Sequence, residues 1–339
     1  MTFITPPEIS TSPSVDRSAD PVPRVIAADA PFIIVMNAGS GRKQSDETRA
    51  ALEETLGAAG RKFDVRLVEQ ASQLADIARQ AVRDAKAQNA VVVGAGGDGT
   101  LCAVAQAVLG SGCVFGVLPR GTFNYFSRDH GIPADPAESI RLLLNARAFP
   151  VQVGFVNERM FLVNASLGLY PKLLEDREIY KRQFGRSRLI ALWSAAVTLL
   201  RAHRHLRLHI EHDGTMHEVR TSTLFVGNNR LQLEQIGMPQ APQLERGLLA
   251  AIAPRAVGRL AQLGLTLRGA AGRMSDADNV ISFAFKRITV THPSKRHRPV
   301  KVATDGEINW ITMPLEFRVA PEPLFLLKPE ADVANANRS

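Results

Sequence analysis

Asp98 sits in the run Val91-Val92-Val93-Gly94-Ala95-Gly96-Gly97-Asp98-Gly99-Thr100, among four glycines. Three β-branched residues precede the glycines, and the apolar spacing of Leu101 to Leu109 is helical, so the run reads as a strand, a tight turn and a helix N-terminus. Backbone N–H groups and the helix dipole favour an anion at such a turn, and glycine lets the backbone come close to it. A carboxylate there repels phosphate unless a divalent cation, or water with a positive side chain, lies between them. Asp98 therefore points to phosphoryl transfer rather than hydride transfer. The G-x-G-x-x-G match at Gly94 to Gly99 lacks the acid that a dinucleotide site needs at the end of the next strand, which here reads Pro119-Arg120-Gly121. No Gly-Lys-Ser/Thr follows, so the turn is not a Walker A loop. Without a ligand, the same residues make an ordinary strand-to-helix turn; in the phosphoryl-transfer reading Asp98 is a loop-surface acid that contributes little to packing, so its loss is expected to leave the fold intact.

Three further segments carry polar residues at spacings that bear on this chemistry. They are Asn37-Ala38-Gly39-Ser40-Gly41-Arg42, Leu118-Pro119-Arg120-Gly121-Thr122-Phe123-Asn124-Tyr125-Phe126, and Ala303-Thr304-Asp305-Gly306-Glu307-Ile308-Asn309-Trp310. On spacing alone, Asp305-Gly306 is an unremarkable hairpin turn. No Ser-His-Asp or Cys-His elbow is present, which argues against a hydrolase nucleophile.

The elements that must position these loops alternate. From Pro31 to about Phe149 strands and helices follow one another, with Ser45 read as the N-cap of the first helix and Gly60 near its end. That order implies an α/β fold with a parallel sheet and helices on both faces, in which strand C-terminal ends hold ligands. After Phe149 short strands dominate, with turns at Asn157-Glu158 and Asp213-Gly214, which reads as a β-rich, sandwich-like domain. The expected division is a disordered tail over 1–29, an α/β nucleotide-binding domain over 30–149, a β-rich substrate domain over 150–329 and a flexible end over 330–339. Around Leu206, Leu208 and Ile210, the alternating His205 and His209 offer metal ligands, but a solvated polar face explains the same pattern and is preferred.

Taken together, the four segments resemble the diacylglycerol kinase catalytic family of lipid kinases, which includes sphingosine and ceramide kinases and is more distantly similar to NAD kinases. The resemblance covers roughly residues 32–329. It implies ATP as phosphoryl donor with Mg2+, bound between the α/β domain and the β-rich domain. Carried over by position, Asn37, Ser40, Gly41, Gly96, Gly97, Asp98, Gly99, Thr100, Gly121, Thr122 and Asn124 line the nucleotide site. Asp98 belongs to a magnesium-linked network around the phosphates. Asp305 is the general base that takes the proton from the lipid hydroxyl, and Glu307 supports it. The implied acceptor is a lipid such as diacylglycerol or a sphingoid lipid. The alternatives are an NAD-kinase-like enzyme with a soluble acceptor, or a nucleotide-binding regulatory protein without turnover.

The chain departs from the family pattern in three places. Ala38 stands at a usual proline and Tyr125 at a usual acid. Arg246, in Leu244-Glu245-Arg246-Gly247-Leu248-Leu249, stands at the acid that holds a structural magnesium in some members, with Glu245 next door as a substitute.

A net charge of +8 suits phosphate-bearing ligands and an anionic membrane surface. With only 6% aromatic residues and no stacking motif, nucleic acid is not an expected partner. Cys102 and Cys113 form no disulfide framework, which suits a reducing, cytoplasmic setting. Two basic–apolar segments, 187–203 and 254–273, read as helices suited to transient contact with the inner membrane face, or as ordinary packed helices. A homodimer is compatible with the sequence.

Overall fold

In a computed structural model, residues 23–38, 42–168, 171, 206–255, 280–293 and 297–330 are described. The N-terminal alternation becomes β1 (Phe32–Asn37), α1 (Arg42–Ala58), β2 (Phe63–Val68), α2 (Leu74–Gln88), β3 (Val91–Gly96), α3 (Asp98–Val108), β4 (Phe115–Pro119), α4 (Tyr125–Asp129), α5 (Pro136–Asn145) and β5 (Arg147–Val151). The remaining strands are β6 (Gly154–Val156), β7 (Arg159–Phe161), β8 (Asn164–Gly168), β9 (Leu206–His212), β10 (Thr215–Thr221) and β11 (Thr223–Gly227). After α6 (Arg230–Gln235) come β12 (Leu249–Pro254), β13 (Val280–Phe285), β14 (Arg287–Thr291), β15 (Pro299–Thr304), β16 (Glu307–Thr312), β17 (Leu315–Val319) and β18 (Leu324–Lys328).

The first sheet has the order β2-β1-β3-β4-β18-β5, with β1 to β4 parallel as the alternation implies. Both faces of the central strands are covered, and so β1, β3 and β4 are nearly apolar throughout, whereas the edge strand β2 carries Asp64 and Arg66. Ile33, Val35 and Val92 face α2 and α3, whereas Phe32, Ile34, Val91 and Val93 face α1 and α5. Phe115 is completely buried, and its truncation to alanine would cost about 3–5 kcal/mol. The last described strand returns to this layer: β18 pairs with β4 and, antiparallel, with β5. Leu324, Leu326 and Leu327 are all buried there, although they lie at the end of the β-rich half.

That half is a sandwich of two antiparallel sheets, β10-β9-β14-β17-β6-β7 and β13-β12-β11-β8-β15-β16. Leu208, Ile210, Ile288 and Phe317 of one sheet meet Leu167, Leu224, Val226 and Val302 of the other in one core. Asn157 and Asp213-Gly214 occupy left-handed conformations at the two expected turns. Residues 280–291 are two strands in different sheets, with the chain crossing at Lys286.

Two local expectations change. Helix α1 begins at Arg42, so Ser45 lies inside its first turn and is not the N-cap; its hydroxyl instead accepts a hydrogen bond from Arg120. Helix α3 begins at Asp98 with Gly97 as N-cap, so Asp98 is a helical residue rather than a loop acid. On β9 and β10, Leu208 and Ile210 point inward, as the alternation requires. His205 and the basic–apolar segments lie outside the described residues, apart from Pro254 and Arg255. Among the described residues no cluster of three metal-ligating side chains forms, and no helix is long and apolar enough to cross a membrane.

Candidate functional site

Three loops meet at the C-terminal ends of β1, β3 and β4. Asn37 at the end of β1 donates from Nδ2 to Thr100 Oγ1 at 3.1 Å. The Arg120 amide donates to the Gly96 carbonyl at 2.9 Å, carrying β4 into register with β3. Gly97 and Gly121 then touch backbone to backbone: a Cβ on Gly121 would lie 2.9 Å from the Gly97 Cα and 2.7 Å from Asn124 Oδ1. That contact leaves no room for a side chain at Gly121, whereas a Cβ on Gly97 would stand 3.5 Å from the Gly121 Cα, an ordinary contact. The Asn124 Oδ1 atom accepts from the Gly121 amide at 2.8 Å, with Asn124 itself buried and left-handed. Thr122 is exposed at the crest of this turn.

Asp98 has specific partners. Its carboxylate accepts from the Tyr125 and Phe126 amides, each at 3.2 Å, and so caps the first turn of α4 from across the cleft. Burial pushes its pKa up, and these two amides oppose the shift. The loop-surface reading of Asp98 is therefore corrected, because the acid ties the β3–α3 turn to the β4–α4 turn. Tyr125, at a usual acid position, contributes its amide here, while its ring stacks on Phe123 at 5.8 Å.

The second half reaches the same place through the β15–β16 hairpin. Asp305 and Gly306 are both left-handed, which makes the expected hairpin turn. The Asp305 carboxylate accepts from Leu162 N at 2.7 Å, Val163 N at 2.8 Å and Asn164 N at 3.0 Å. Burial nonetheless outweighs these donors and pushes its pKa up to about 6. The Cys102 thiol on α3 lies beside it, with its own pKa raised well above the usual value by burial and then by Asp305. Glu307 rests on the glycine loop, its Oε1 2.8 Å from where a Cβ on Gly99 would be. Its Oε2 pairs with Arg159 at 3.3 Å. A cavity of about 370 Å3 opens beside this contact, lined in part by Gly99, Cys102, Gln106, Arg159, Thr304 and Glu307.

The two halves are also joined on the far side of the site. Asp129 at the end of α4 accepts from the Arg230 and Leu231 amides at 3.1 Å each, and Asn229 Nδ2 donates to the Tyr125 carbonyl at 2.9 Å. Asn164 Nδ2 donates to Gln232 Oε1 at 3.0 Å, and the Asn164 amide returns the chain of bonds to Asp305. Asp98, Asp129 and Asp305 thus each fasten a backbone turn in a run of contacts from the glycine loop to the hairpin.

The loops at Gly96 to Thr100 and Gly121 to Asn124 fall within residues 31–156, which match the diacylglycerol kinase catalytic domain. Residues 31–156 are thus similar to the diacylglycerol kinase catalytic domain. The chain is 39% identical over 132 residues to the probable lipid kinase YegS-like of Pseudomonas aeruginosa strain UCBPP-PA14, covering 38% of this chain and 42% of that one. It is 28% identical over 187 residues to the diacylglycerol kinase of Bacillus subtilis strain 168, covering 54% and 60%. The chain thus spans between two and three fifths of those relatives. The crystal structure of a diacylglycerol kinase from Bacillus anthracis str. Sterne shares the fold, with a TM-score of 0.65 at 18% identity, over 89% of this chain and 97% of that one.

Of the residues assigned to the site of this diacylglycerol kinase-like domain, Asn37, Gly96, Gly97, Asp98, Gly99, Thr100, Gly121 and Asn124 converge, and Glu307 joins them. Ser40 and Gly41 lie outside the described residues. Glu245, the expected stand-in for a magnesium ligand, pairs with the Arg230 guanidinium, which also holds Glu234 at 2.5 Å. Sequence reasoning passed over Asp129, Asn164 and Arg159, whose partners are more than sixty residues away in the chain and leave no local signal. It also passed over Arg120, used only as the end of a strand. That side chain is 7% exposed and donates to the Asn37 carbonyl and to Ser45 Oγ, each at 3.0 Å.

Proposed function

We propose that the chain is an ATP-dependent lipid kinase that transfers the γ-phosphate to a hydroxyl of a lipid such as diacylglycerol or a sphingoid lipid. The observation that carries this reading is the seat of Glu307 on Gly99, because it sets an acidic hairpin of the sandwich against a phosphate-type loop of the α/β layer. Phosphoryl transfer asks for positioning, charge neutralisation and a proton acceptor rather than a covalent nucleophile. The loop amides at Gly97 and Gly99, at the start of α3, suit an anionic tail of the nucleotide. Asp305, with a pKa of about 6, is ionised at neutral pH yet close enough to it to accept a hydroxyl proton. Three amides and the Cys102 thiol hold its carboxylate in place. Glu307 orients the approach from the loop side and holds Arg159 at the cavity wall.

A magnesium ion on the nucleotide would neutralise phosphate charge. The donor set suits an ion that arrives with phosphates and keeps its waters, since no three metal-ligating side chains cluster among the described residues. Asp98 is the carboxylate that would face it, with two amides leaving part of its acceptor capacity free. The peripheral membrane contact assigned to the basic–apolar segments belongs to the same proposal.

The test is transfer of label from γ-labelled ATP to a mixed lipid extract by the full chain. Labelled lipid supports the proposal. Label on a water-soluble acceptor alone would favour the soluble-substrate kinase, and nucleotide binding with no transfer to any acceptor the regulatory protein.

A further inference from the structure

Among the described residues Arg120 is a buried cation without a buried counter-charge. There its guanidinium reaches only neutral oxygens, the Asn37 carbonyl and Ser45 Oγ. Its Nε has no partner and is sealed from solvent. Among the described residues no carboxylate pairs with it, and residues 39–41, which follow Asn37 in the chain, are Gly-Ser-Gly. Burial pushes its pKa down. A charged group removed from water costs several kcal/mol unless an opposite charge answers it. Two bonds to neutral oxygens do not require a charge, since a neutral amide side chain can donate them too. No acid among the described residues answers that cost, which leaves the charge to an anion from outside.

The place says which anion. Arg120 follows β4, its backbone amide is bonded to Gly96, and its side chain spans from the end of β1 to the first turn of α1. These are the strand ends and helix start around the glycine loops, where a polyphosphate fits. A planar guanidinium also matches phosphate geometry.

We infer that Arg120 is a recognition residue for the polyphosphate tail of the nucleotide, answering its charge from beneath the Asn37 and Gly97–Gly121 loops. The inference rests on the nucleotide-binding part of the proposed function and is independent of which acceptor is phosphorylated. Phosphate chemistry could also come from a phosphorylated lipid product, so the probes must separate the two.

The experiment titrates the full chain calorimetrically with inorganic tripolyphosphate, ATP, adenosine and a short-chain phosphatidic acid, each with magnesium. Wild type is compared with Arg120→Gln and Arg120→Lys. The expected result is that Arg120→Gln weakens tripolyphosphate and ATP by about 10- to 100-fold, the range for one charge-assisted contact, and leaves adenosine unchanged. Arg120→Lys, which keeps the charge, should recover part of the loss. Loss confined to phosphatidic acid, equal loss of adenosine, or tripolyphosphate binding of wild-type strength in the glutamine variant overturns the inference.

Should the glutamine variant unfold, the wild type decides, with the lysine variant used to assign its resonance. The arginine Nε–H resonance missing from the Arg120→Lys spectrum must move when tripolyphosphate is added. A resonance that stays in place rejects the role. Absence of lipid phosphorylation would remove the kinase proposal without touching these binding results.

Discussion

Glu307 lies against Gly99, so that any side chain at residue 99 would stand 2.8 Å from the glutamate Oε1. The two residues are more than two hundred positions apart, one at the end of a hairpin turn in the sandwich and one in the first turn of α3. Their contact is where the acidic hairpin meets the phosphate-type loop, and its tightness can be tested.

Gly99→Ala should leave the fold intact, because the obstructing atom is the end of a flexible side chain that can swing away. Stability should change by less than about 1 kcal/mol, while transfer activity falls as Glu307 is displaced. Gly121→Ala should behave differently, since the obstruction is the Gly97 backbone. Thermal melts beside kcat will separate the two. Equal melting temperatures would show that the Gly97–Gly121 contact is looser than described.

Asp98→Ala should now reduce stability as well as magnesium-dependent ATP turnover. Two amides of α4 lose their acceptor, at about 1–3 kcal/mol for a group left unsatisfied. Faster hydrogen exchange at Tyr125 and Phe126 is the specific signature. Unchanged exchange at both would mean that the carboxylate does not cap α4.

The pH response of Asp305 has opposite signs in activity and in stability. Its folded pKa, about 6, is above that of an unfolded aspartate, about 3.9. The associated stability is therefore fully present below about pH 4 and is lost as pH rises through 6. As a general base the same group must be ionised, so kcat/KM should rise through pH 6 to a plateau near neutrality. A profile flat from pH 5 to 8, with chemistry rate-limiting, would exclude Asp305 as the base.

Asp305→Asn should cut kcat by about 10²- to 10⁴-fold with ATP affinity little changed. It is not a silent replacement. Three amides point at two carboxylate oxygens, and an amide side chain would turn a donor toward one of them. A melting curve must accompany the kinetics, and Glu307→Gln is the milder partner variant. A near-normal kcat in a folded Asp305→Asn enzyme would sink the mechanism.

Binding to anionic vesicles should weaken as salt rises, because screening confines surface electrostatics to about 8 Å near physiological ionic strength. The arginine-rich segments 187–203 and 254–273 carry this prediction. Equal binding to neutral and anionic vesicles at every salt concentration would remove membrane contact and leave the kinase reading in place.

By itself the amino-acid sequence determined the parallel α/β layer, the β-rich second half and the glycine turns, because each has a short-range physical signature. Apolar runs such as Phe32 to Met36 mark strands buried on both faces, and Asp213-Gly214 marks a left-handed turn. Spacing alone also read Asp305-Gly306 correctly as a turn; that its carboxylate is buried against Leu162, Val163 and Asn164 was invisible there, since those amides belong to another strand connection. Only the tertiary structure decided that β18 returns to the first sheet, that Asp98 caps α4 and that Asp129 caps α6. Burial in the fold raises the Asp305 pKa, and among the described residues the buried Arg120 pairs with no acid. The reason is common to all of them. Capping, desolvation and charge pairing are fixed by which distant groups share a low-dielectric space, and no local pattern of residues encodes that.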